Sequence, residues 1–134
     1  MKTTLDQSDA IYRLLNVPGV TSAISGKVYS DDRPLDSDLE DVVIKSMTLA
    51  DGMRQFGVAL VNIHVKDIEL SGVPGKLANK TRLKAISRVI VPLIEETDGE
   101  DFALWVESSS TIPEPEVDQH FLQLRLEVRM YNFN

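Results

Sequence analysis

The sequence predicts an α+β fold: a mostly antiparallel, curved sheet with one long helix packed on a face and a short N-terminal helix. Three observations predict it. Across residues 121–131, Leu122, Leu124, Leu126, Val128 and Met130 share one parity, and Gln123, Arg125, Glu127 and Arg129 the other. Strand side chains point to opposite faces in turn, so this run has one dry and one wet face, as in an antiparallel sheet covered on one side. Leu83, Ile86, Ile90 and Leu93 recur at helical spacing, which predicts a long helix over 76–96. Finally, the elements run helix, short strand, hairpin, helix, two strands. A sheet with a helix laid on one face accommodates that order most economically.

The elements follow in order. Thr4 or Asp6 is placed to cap a first helix running to about Leu15, with Ile11, Leu14 and Leu15 as its apolar stripe. Asn16, Val17, Pro18 and Gly19 end it. Residues 20–25 read as either a short helical turn or a strand. Lys27, Val28 and Tyr29 make a short strand, followed by an acidic loop over 30–41 carrying Pro34. Residues 42–49 and 56–66 form a hairpin around Ala50, Asp51 and Gly52. The second of these strands is apolar on both parities, which places it centrally. Residues 71–75 are a turn-rich connector. Pro92 removes a backbone donor inside the long helix, so a kink or an early end is expected there, with Thr97, Asp98 and Gly99 as the break. A strand over 102–107, in which Trp105, Phe102 and Leu104 fill core, a loop over 108–118 with Pro113 and Pro115, and the strand 121–131 complete the chain.

The bulk numbers exclude several classes. At 134 residues a single domain, 1–134, is expected. The content of 43% apolar and 26% charged residues is that of a globular chain, which argues against wholesale disorder. There is no cysteine, hence no disulfide, thiolate nucleophile or thiolate metal site, which is compatible with a reducing cytoplasm. No signal peptide or membrane span is legible, so a cytoplasmic location is expected. The formal charge of −7 opposes general affinity for nucleic acid. It is unevenly placed, however. Asp31, Asp32, Asp36, Asp38, Glu40 and Asp41 crowd one stretch against Arg33 alone, whereas Lys76, Lys80, Arg82, Lys84 and Arg88 meet no acid over 76–88. Lys76, Lys80, Lys84 and Arg88 recur every four residues, which aligns them as a basic stripe on one helix face. Such asymmetry can steer one copy of a protein toward another.

No motif performs chemistry. His64 and His120 lack metal-ligand spacing and read as a sheet-face and a strand-edge residue. Ser108, Ser109 and Ser110 have no nucleophile elbow. The acidic run over 36–41 fails as a calcium loop, since Asp41 stands where glycine is needed and Met47 where glutamate is. Gly72 and Gly75 lack the spacing of a phosphate-binding loop. No catalytic residue, metal or cofactor is therefore expected. The candidate functional residues are the stripe, the acidic loop, and Arg125 and Arg129 on the wet face of the last strand.

The helix ending in Leu14-Leu15-Asn16-Val17-Pro18-Gly19-Val20, the strand and loop Gly26-Lys27-Val28-Tyr29-Ser30-Asp31-Asp32-Arg33-Pro34, the helix over 77–96 and the close at Arg129-Met130-Tyr131 together resemble the tail-terminator (tail completion) proteins of long-tailed bacteriophages and prophages. The chain departs from that pattern in the wide hairpin over 42–55 and in residues 71–75. The resemblance implies a non-enzymatic assembly protein whose copies form a ring, commonly a hexamer. That ring would cap the tail tube and face the head connector, with no nucleic-acid or membrane partner. Alternatives are another head–tail joining or non-phage oligomeric adaptor module, or a small α+β enzyme using Asn62, His64 and residues 108–110.

Overall fold

Thr3 caps the first helix, α1 (Thr4–Leu15), from one residue before the expected cap. Its hydroxyl accepts from Leu5 N while Asp6 Oδ2 accepts from Thr3 N at 2.7 Å, a reciprocal capping box. In this computed structural model the structure describes residues 1–98 and 101–132; Gly99, part of the expected helix break, lies outside the described residues. Pro18 opens α2 (Pro18–Thr21) at its first turn, where a missing N–H costs nothing, so residues 20–25 begin as helix rather than strand. Then follow β1 (Val28–Ser30), β2 (Asp41–Leu49), β3 (Arg54–Lys66), α3 (Lys80–Glu95), β4 (Phe102–Glu114), a 3₁₀ turn (Pro115–Val117) and β5 (Gln119–Tyr131).

The sheet order is β1-β2-β3-β5-β4, with β3 in the middle as its two apolar parities predict. Only β1 and β2 run parallel; the other neighbours are antiparallel. One sheet face, carrying Val42, Ile44, Ala59, Val61, Ile63, Leu124, Leu126 and Val128, packs against Ile11 and Leu15 of α1, Val20 of α2, and Leu83, Ile86, Ile90 and Ile94 of α3. Among the described residues no helix covers the opposite face. The fold class is therefore α+β, with the dry parity of β5 under the helices and the wet parity open.

Three expectations need correcting. The helix starts at Lys80, not Lys76, because Asn79 caps it by accepting from Arg82 N, and Leu77 instead bridges back to Ile68 in extended conformation. Leu77 is thus exposed, and Lys76 is not on the helix at all. The loop expected over 108–118 is mostly strand. A bulge between Val106 and Ser108 resets the register, and pairing with β5 continues to Glu114. Pro113 is tolerated because β4 is an edge strand, where a missing donor need not break a ladder. Trp105 lies opposite Glu127 on the open face and is 38% exposed, whereas its neighbour Leu104 is core. The alternation that buries one necessarily turns out the other. As for Pro92, α3 runs through it and ends three residues later at Glu95, close to the expected break.

Candidate functional site

The acidic loop splits into inward and outward charges. Asp41 is fully buried at the start of β2. Arg33 reaches back across the loop and donates from Nη1 to Asp41 Oδ2 at 3.0 Å, and from Nη2 to Gln119 Oε1. Ser37 Oγ and the backbone N–H of Lys27 also donate to the Asp41 carboxylate, and Gln119 Nε2 donates to the carbonyl of Ser37. The loop is thus clipped to the sheet by polar bonds. Gly26 makes the approach possible: a Cβ there would stand 1.9 Å from Asp41 Oδ1. Glu40 takes two bonds from the Arg82 guanidinium at 2.7 and 2.8 Å, and these hold its carboxyl below the usual range. What remains outward is Asp31, Asp32, Asp36 and Asp38, of which Asp38 alone has an ionic neighbour among the described residues, Lys66 at 3.7 Å.

Beneath this loop lies a shallow cleft of about 250 Å³ floored by Val43, Asn62 and His64. His64 Nδ1 is 2.9 Å from Glu114 Oε1, and its ring lies 4.9 Å from that of Phe121. Burial, then the nearby Arg33 charge, lower the His64 pKa, with Glu114 and Asp41 opposing. Asn62 accepts from Gln123 Nε2 at 3.1 Å. Asn62 and His64 therefore share a site, but residues 108–110 lie on the edge strand and do not line it. His120 pairs with Asp67 at 2.6 Å. Among the described residues no cluster is placed to hold a metal ion, and no helix is long and apolar enough to cross a membrane.

Of the expected stripe, Lys80, Lys84 and Arg88 stand exposed on α3 with no bonded partner among the described residues, while Lys76 is held by Asp118 at 2.9 Å. Arg125 pairs with Glu107 at 3.1 Å, and Arg129 with Asp98 at 3.5 Å, both on the open sheet face. The structure thus brings Glu40 and Asp41 inward and leaves the other candidates on the surface in four places: the acidic loop, the connector before α3 that carries Lys76, α3 and the open face.

No protein-family model matches the sequence, and no curated protein matches it. Solved structures do. One is a chain described as "Virion of native gene transfer agent (GTA) particle", at a TM-score of 0.61 and 13% identity, covering 93% of this chain and 94% of that one. The fold is shared with a virion chain. At that identity the likeness concerns the fold alone.

Within that shared fold, Arg33, Gln119 and Glu114 are the residues that sequence reasoning missed. Arg33 and Gln119 are 86 positions apart, so no local spacing could join them. The one available signal was Arg33 itself, the lone base inside an acidic run.

Proposed function

We propose that this chain is a structural assembly protein of a phage or phage-like particle, whose copies form a ring that terminates the tail tube and joins it to the head connector. The observation that carries this reading is the fold likeness to a virion chain over nearly the full length of both. The local sequence resemblance to tail terminators points the same way. Two sets of outward charges, Asp31, Asp32 and Asp36 on the loop and Lys80, Lys84 and Arg88 on α3, have no bonded partner among the described residues and so suit contacts between copies or with neighbouring particle proteins. In this reading the protein binds and positions rather than catalyses. Among the described residues no hydroxyl or thiol nucleophile lines the His64 cleft.

Native mass spectrometry across protein concentration and at two salt levels tests it. Closed assemblies near six copies, loosened by salt, are expected. A strict monomer under every condition, including in the presence of tube and connector proteins, would count against the ring.

A further inference from the structure

The two outward charge sets lie on opposite faces of one sheet. The loop is clipped over the open face: Arg33 and Ser37 are both bonded to buried Asp41, and the cleft beneath is floored by Val43, Asn62 and His64. Their strand neighbours Val42, Ile44, Val61 and Ile63 point the other way, into the core under α3. On its far side α3 exposes Lys80, Lys84 and Arg88, with Thr81 and Ala85 beside them. A sheet and a helix therefore stand between a copy's own carboxylates and its own cations. Arg82, in the first turn of α3, nonetheless bonds Glu40 where the loop ends, so both sets lie at the same end of the sheet.

The two surfaces match in charge. On the loop, Asp31, Asp32 and Asp36 are exposed with no bonded partner among the described residues, and Lys45, which lines the cleft below, offsets one of the three. On α3 three cations stand with no acid anywhere over 76–88, and Glu95 and Glu96 come only about two turns beyond Arg88. They also match in shape. Leu35, at the loop tip, is 97% exposed. Thr81 and Ala85 are short, so they leave a shallow seat flanked by the stems of Lys84 and Arg88. Such stems cover apolar surface while their charged heads stay in water.

We propose that the loop of one copy seats on the outward face of α3 in a second copy, with Leu35 over Ala85 and the loop carboxylates among Lys80, Lys84 and Arg88. This rests on the ring reading and names a contact that would build the ring. Because the two surfaces differ and lie on opposite faces, the contact is head-to-tail. Each copy donates once and accepts once, the interface type that generates rings or filaments.

Two charge-reversed variants test it by native mass spectrometry: Asp32→Lys with Asp36→Lys on the loop, and Lys80→Glu with Lys84→Glu on the helix. Asp31 is left alone, because its φ of 71° is one that lysine adopts only at a cost. Alone, each variant sets like charges across every contact, and half-assembly should need about tenfold more protein than wild type. Mixed one to one, loop lysines meet helix glutamates at one contact, and native aspartates meet native lysines at the next. Assembly should return near the wild-type concentration, with the two variants in equal number. If each variant alone assembles as wild type does, or if the mixture stays as weak as its parts, the contact is wrong and the ring survives. Wild type that stays monomeric even with tube and connector proteins would overturn both. The absence of native cysteine allows a second readout. A Leu35→Cys, Ala85→Cys double variant treated with a short bismaleimide should give a ladder of covalent multimers. A ladder from Leu35→Cys, Phe56→Cys instead would move the loop to the open face and overturn the proposal.

Discussion

Arg33 holds the loop through charge that water cannot easily replace. Its side chain is 12% exposed and that of its partner Asp41 0%. Removing one member of such a pair strands the other, at a cost typically of ~3–5 kcal/mol. Arg33→Ala should therefore lower stability by about 3 kcal/mol in urea titration, and Arg33→Lys should recover only part, since one ammonium cannot fork to both Asp41 and Gln119. A midpoint unchanged by Arg33→Ala would mean that the clip contributes nothing. His64 gives the matching pH prediction. Its folded pKa lies below the ordinary 6.5, so in the window between them the unfolded chain holds a proton that the folded chain lacks. The contribution is complete above about pH 6.5 and is lost as pH falls toward the folded value. His64→Gln should flatten that part of the stability profile, and an NMR titration placing the folded imidazole at or above 6.5 would refute the assignment. Neither residue was legible as a pair member. A strand's parity says which face a histidine is on, but not which acid from another strand meets it.

Between elements, α1 is stitched to the sheet at its irregularity. The ladder slips between Ser46 and Thr48, and Gln7, fully buried on α1, donates from Nε2 to the carbonyls of Thr48 at 3.3 Å and Val58 at 3.1 Å. Ser8 meets Ser46 at 2.7 Å alongside. Gly57 opens the path, since a Cβ there would come within 2.3 Å of Gln7 Oε1. Gln7→Met keeps most of the volume while removing the donor shared by the Thr48 and Val58 carbonyls, and should cost about 1–3 kcal/mol. A loss under 0.5 kcal/mol would show that other donors, such as water, serve those carbonyls. The legible elements were those with a strong period: α3 from Leu83 onward, β3 and β5. The second half of β4 was hidden because serines and prolines resemble a loop when read locally. Its strand character comes from β5, a partner that a local window cannot see. The first turn of the expected long helix failed for the opposite reason: charges at a spacing of four fitted a helix, but the cap at Asn79 starts it later.

At the scale of the whole molecule, the sequence showed an asymmetric distribution of a net charge of −7, and the structure sorts those charges into spent and unspent. Lys80 and Lys84 belong to the unspent set, so Lys80→Glu with Lys84→Glu should leave the monomer's stability within about 0.5 kcal/mol, the range for exposed substitutions. The same change should weaken assembly in a salt-sensitive manner, because screened surface charges act over about 10 Å at 0.1 M salt. Assembly unchanged at low salt would remove the helix face from the contacts. The architecture has one more consequence, and it is mechanical. β3 and β5 pair without interruption from Arg54↔Tyr131 to Lys66↔Gln119, thirteen rungs in all. Tension along the strands would load all of those rungs together, in shear; tension across them would open one rung at a time, like a zip. The same hydrogen bonds therefore make the sheet tough along one axis and easily peeled along the other.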